Sequence, residues 1–227
     1  MFLHWDGNND SLAERNKSAA ISAGASPDSI DMHSLDAVEA WLKTLSPPKY
    51  PFPIDDQLVA KGKPIYQTHC ASCHDLATQD QIGKVTPIEE IGTDRHRFDS
   101  FNTMLVEHMN TIGTGYPWHF THFRKSNGYA NMPLDGIWAR APYLHNGSVP
   151  SLRELLELPE KRTQVFYIGY DVYDPENVGF IFSGPEAERL GFELNTSLPG
   201  NSNSGHLYGT ELSAEEKEAL IEFLKTQ

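Results

Sequence analysis

Apolar residues recur at helical spacing in several stretches of this chain, separated by polar or glycine- and proline-rich segments. Residues 1–34 are polar and rich in Asn, Ser and Ala, with a modest helical pattern over Ser11 to Ser18. A firmer helix is predicted over Leu35 to Leu45, where Val38, Trp41, Leu42 and Leu45 share one face and Pro47-Pro48 stops it. The run Ser46-Pro47-Pro48-Lys49-Tyr50-Pro51-Phe52-Pro53 reads as a stiff linker and the best domain boundary. Helical spacing resumes from Asp55-Asp56 through Leu58, Val59, Gly62, Ile65 and Tyr66, with two carboxylates at the N-terminal end. Pro64 lies inside this stretch and predicts a kink or a fresh helix start.

A polar loop is expected after His74, then a helix from Asp99 to Met109 with Asp99 as its N-cap. Ser151-Leu152-Arg153-Glu154 and Ser213-Ala214-Glu215-Glu216 each open a helix as a capping box, the second carrying Leu220, Ile221, Phe223 and Leu224. Between them, Phe166 to Gly209 has few periodic signals but too much Tyr and Phe for a disordered linker, so it reads as an ordered loop. These elements predict an all-α fold with long ordered loops. Residues 1–50 form a leading segment and residues 51–227 the main domain.

At 227 residues the chain can bury about 70% of its unfolded surface, so a genuine core needs no disulfide. No stretch approaches the apolar length of a membrane span. The formal charge of -13 argues against nucleic acid as a partner and favours a basic protein partner through electrostatic steering.

Both cysteines fall in Cys70-Ala71-Ser72-Cys73-His74, the order of a covalent c-type haem attachment site. Cys70 and Cys73 read as thioethers to the vinyl groups of one haem c, and His74 as the iron's proximal ligand. A Cys-x-x-Cys zinc site normally needs two further Cys or His ligands at a similar close spacing, and the chain has no second Cys-x-x-Cys pair. A thioredoxin-type pair would need a βαβ setting and has no use for the trailing histidine. Covalent haem is attached outside the cytoplasm in bacteria, so a periplasmic or secreted protein is expected. Met1-Phe2-Leu3-His4-Trp5-Asp6 has neither the basic nor the apolar region of an export signal.

A low-spin electron-transfer haem needs a second axial ligand. On spacing alone Met132, in Asn131-Met132-Pro133, is the first candidate, with His145 and His206 as competitors among ten histidines.

The stretch entering the cysteine motif resembles the first helix of class I cytochromes c, and the last helix fits the one that crosses it. Two passages resemble the bacterial di-haem cytochrome c peroxidase superfamily, which includes the rubber oxygenases. They are Trp5-Asp6-Gly7 followed by Ser11-Leu12-Ala13-Glu14, with Asn8 in place of the usual Arg, and Ala141-Pro142-Tyr143-Leu144-His145-Asn146-Gly147-Ser148 with Leu152 and Leu155. Pro133-Leu134-Asp135-Gly136-Ile137-Trp138 and Gly205-His206-Leu207-Tyr208-Gly209-Thr210 are most similar to the rubber-oxygenase branch.

The resemblance spans Trp5 to Thr210 and implies that residues 1–50 are a remnant of an N-terminal haem domain with the inter-domain linker, and residues 51–227 a C-terminal electron-transfer haem domain whose distal ligand, a His in that branch, is His206. It makes His145 a residue near the haem and Trp5 a relay between haems. It also implies a calcium ion on the carbonyls of Arg140 and Pro142, although the partner Asn of the first domain has no counterpart. Such proteins carry a second, catalytic haem on an N-terminal motif that this chain lacks, so no catalytic residue is assigned. The expected activity is one-electron transfer with a redox partner protein or an upstream haem domain. The alternative is part of a di-haem peroxidase or oxygenase whose catalytic domain lies outside the chain.

Overall fold

The structure is a computed structural model that describes residues 2–75 and 81–227. Residues 76–80 of the predicted polar loop lie outside the described residues. In chain order the helices are α1 (Leu12–Ser22), α2 (Met32–Leu42), α3 (Asp56–His69), α4 (Ala71–His74), α5 (Ile88–Ile91), α6 (His96–Ser100), α7 (Thr103–Met109), α8 (Leu152–Leu155), α9 (Pro185–Leu190) and α10 (Ala214–Leu224). The strands are β1 (Val85–Pro87), β2 (Gly128–Ala130), β3 (Val165–Ile168), β4 (Tyr173–Asp174), β5 (Gly179–Phe180) and β6 (Phe192–Asn195).

The expectation of an all-α fold is corrected by these strands. Helix makes up 38% of the structure, and strands form antiparallel pairs β1-β2, β3-β6 and β4-β5. Apart from Val165 at the start of β3, two of the pairs and α9 fall inside Phe166 to Gly209, a stretch with no periodic pattern to divide it. Strands of two to four residues are shorter than the window over which alternation can be recognised. Pairing with a partner strand fixes them, as in the Val165↔Asn195 to Ile168↔Phe192 register.

The chain divides into two compact units, each assembled from three segments. The first comprises Met1–Ser46, Gly83–Pro87 and Phe98–Asn131, and the second Pro47–Ile82, Ile88–Arg97 and Met132–Gln227.

In the first unit, Ser11 caps α1 by accepting from the Glu14 amide. Glu14 is buried, and its carboxylate accepts from Asn9 Nδ2, the Thr121 and His122 amides and His122 Nδ1. Burial alone would raise its pKa, but these hydrogen bonds, led by His122, together lower it. Phe101, Phe120 and Phe123 form the apolar centre. The helix expected from Asp99 starts later, as α7, with Asn102 as the cap on Leu105 N. Over Leu35 to Leu45 the helix exists as α2 but buries none of its residues, and Trp41 is 59% exposed. Periodicity marks a face; it does not supply the surface that covers it.

The second unit is organised by α3 and α10. Gly62 lets the helices touch: a Cβ there would lie 2.0 Å from the Ala219 carbonyl and 2.8 Å from Phe223 Cβ. Tyr66 packs on Phe223 with centroids 5.0 Å apart, and Glu222 accepts from the amide of Asp55, the N-cap of α3. Pro64 neither ends α3 nor starts a new helix; one helix runs from Asp56 to His69 through it. Leu220, Ile221, Val149, Val178 and Leu152 complete a buried core with exposures of 2% or less. The capping box at Ser213 is reciprocal, whereas at Ser151 only half forms, because Glu154 turns to the amide and hydroxyl of Thr163.

Candidate haem site

Every residue of this site belongs to the second unit. α3 ends at His69, and Cys70, at φ -126° and ψ -37°, breaks the helix before α4 turns once and delivers Cys73 and His74. The amides of Cys73 and His74 both donate to the Cys70 carbonyl, at 3.1 and 3.0 Å. The motif is thus a single tight turn hung on the helix that α10 immobilises. Both cysteines are free and half-buried. Burial, reinforced by Cys73, pushes the Cys70 thiol up to about 12. Redox-active Cys-x-x-Cys pairs need the opposite shift.

His74 Nδ1 lies 2.6 Å from the Met132 carbonyl. A carbonyl only accepts, so Nδ1 carries the proton and the Nε2 lone pair is left for a metal. Burial lowers the pKa of His74 against the raising effect of this hydrogen bond, which keeps the ring neutral, the form that ligates. Met132 is thereby tied to the His74 side through its backbone.

His206 faces this ring, with centroids 6.3 Å apart and planes at 46°. Metal–imidazole bonds are about 2.0–2.1 Å long, and two of them plus the half-width of each ring add up to about this separation. Rings stacked on one another would be closer and near parallel. Burial, then the neighbouring His74, lowers the pKa of His206 to about 4, so this imidazole is neutral as well. Its Nδ1 is buried and has no hydrogen-bond partner among the described residues. Nor do the described residues hold a cluster of three or more His, Cys, Asp or Glu side chains able to chelate a bare ion. An iron already held by a porphyrin would need only two further ligands, which His74 and His206 could supply.

The segment 200–206 that presents His206 is tied down along its length. Asn146 Nδ2 donates to the Gly200 and Ser202 carbonyls at 3.1 and 3.0 Å, and the buried Ser148 hydroxyl donates to Ser202 O at 2.9 Å. The His206 amide donates to the Ile91 carbonyl at 2.8 Å. Gly205, at φ +76°, lies so near Gly92 that a Cβ would come within 2.3 Å of its carbonyl carbon. The Arg162 guanidinium reaches the same segment from behind.

Of the residues singled out in the sequence, Cys70, Cys73, His74 and His206 are therefore brought together, and Met132 joins them by its carbonyl. His145 sits among Asp94 and Arg97, with burial lowering its pKa to about 4. Arg140 donates to the carbonyls of Pro133 and Asp135, a fixed positive charge beside the positions the resemblance gives to calcium. Trp5 belongs to the first unit and is 47% exposed. Sequence reading missed Arg162 and the Met132 carbonyl, whose contacts are to backbone atoms and leave no signature in residue type.

Residues 128–167 match the family model described as RoxA-like, cytochrome c-like. The match supports a RoxA-like cytochrome c domain in this chain, with haem and iron as the cofactor. It covers the Tyr143–Val149 turn, α8 and Arg162, which surround the segment bearing His206; the cysteine motif and His206 lie outside it. Two uncharacterized proteins of Sinorhizobium fredii (strain NBRC 101917 / NGR234), y4iJ and y4iM, are each 28% identical to the chain, over 80% and 89% of its length. The chain spans 41% and 53% of those relatives, about half their length.

Proposed function

We propose that this chain is a c-type cytochrome that holds one covalent haem and passes single electrons, with the site exposed to the periplasm or the cell exterior. When bound, the haem supplies a reversible one-electron iron couple. Cys70 and Cys73 would carry the thioethers, His74 the proximal bond and His206 the distal one. The opposed imidazoles 6.3 Å apart carry this reading. Both rings are neutral through burial, so neither must lose a proton to ligate. With His74 and His206 both holding the iron, small molecules would be kept from the metal, which favours electron transfer over peroxide or oxygen chemistry. The ties on His74 Nδ1 and on residues 200–206 would hold the two imidazoles still and so limit reorganisation.

The chain is similar in this role to the electron-transfer half of a di-haem peroxidase or rubber oxygenase. Its electron partner is then a redox protein or a further haem domain. Substituting His206→Ala tests the assignment. The ferric wild type should be low-spin and take up carbon monoxide only slowly once reduced, and the variant high-spin and quick to bind it. A wild type that is already high-spin would turn the reading toward an enzyme with an open distal site.

A further inference from the structure

Arg162 is 4% exposed, and its guanidinium contacts no carboxylate among its hydrogen bonds. Glu154 is occupied by Thr163, and Glu157 by Lys217. All five N–H groups of the side chain go instead to backbone carbonyls. Nε donates to Glu157 at 2.9 Å, Nη1 to Asn203 and to Gly205 at 3.1 Å, and Nη2 to Leu155 at 3.2 Å and His206 at 3.5 Å. Two of these acceptors lie at the end of α8, where helix carbonyls lack intrahelical partners. The other three belong to the stretch ending at His206.

That stretch would not hold its form unaided. His206 sits at φ +49°, in the left-handed region that a residue with a side chain resists. A ligand must nonetheless be held within about 0.5 Å of its productive place. We propose that Arg162 is a positioning residue that sets the distal ligand: it locks the Asn203–His206 backbone to the end of α8 and holds the His206 imidazole opposite His74. The inference rests on the reading of His206 as an axial ligand and adds to it a determinant of how tightly that ligand is kept.

The test uses the haem-loaded full chain and the rate at which the reduced protein takes up carbon monoxide, which His206 must leave to allow. Arg162→Gln should speed uptake about tenfold or more, since several charge-assisted hydrogen bonds are lost, and should add a high-spin fraction to the ferric spectrum. Arg162→Lys, which keeps the charge but not the planar fork, should fall between the two and carries the test if the Gln variant does not fold. Arg153→Gln serves as the control, because it removes an arginine of α8 that is held by Glu218 and the Glu176 carbonyl and makes no bond to residues 203–206. Wild-type uptake rates in both Arg162 variants, or equal acceleration by Arg153→Gln, would overturn the inference and leave the ligand assignment standing. A wild type that takes up carbon monoxide without delay would overturn the assignment and the inference together.

Discussion

His145 is kept uncharged by its surroundings. Burial is the main cause of its pKa falling to about 4; Asp94 opposes the shift and Arg97 adds to it. The unfolded chain protonates this ring near 6.5 while the folded chain does not, so its contribution is complete above pH 6.5 and is lost as pH falls from there toward 4. Urea unfolding of the wild type should therefore show lower stability at pH 5 than at pH 7.5, and His145→Gln should shrink that difference. Equal pH dependence in both proteins would mean that the ring titrates normally in the fold. The two cysteines give a second residue-level expectation. Replacing both Cys70 and Cys73 by Ser should leave a protein that releases its haem on denaturation, whereas the wild type should retain the haem mass in a denaturing mass spectrum.

Helices α3 and α10 carry the motif, so their contact at Gly62 is where the site can be weakened from a distance. Gly62→Ala places a methyl group against the Ala219 backbone, which cannot swing aside as a side chain could. We expect a loss of about 3 kcal/mol in denaturant unfolding, near the upper end for overpacking, with little change in the spectrum of the protein that still folds. Gly62 stood in the sequence merely as one more position of an apolar stripe. What was legible at this scale was local: the contiguous Cys70–His74 motif, and the caps at Ser151 and Ser213, whose hydrogen bonds reach three residues ahead. What was not legible depends on a distant partner. The β3-β6 strands exist only as a pair, and Asn102 rather than Asp99 caps α7 because α6 ends just before it. His206 carried no spacing signal that singled it out from Met132; its pairing with His74 is made by the packing of residues 200–206 onto α5, α8 and the Tyr143–Val149 turn.

Over the whole molecule, the charge of -13 acts at long range. Reduction by a positively charged inorganic donor should be fast at low salt and slow steeply between about 10 and 500 mM ionic strength, as the Debye length shrinks from about 30 Å to a few ångströms. A negatively charged donor should show the reverse trend, and stopped-flow traces with both donors measure it. Matching salt profiles for the two would mean that the electron-exchange surface does not share the sign of the net charge.

The segments of the two compact units alternate along the chain, which passes from one to the other at residues 46/47, 82/83, 87/88, 97/98 and 131/132. A break anywhere before residue 131 divides the first unit, and one anywhere after residue 47 divides the second. Gene recombination with a single junction inside this stretch could not move either unit intact into another protein. The two must be inherited as one piece.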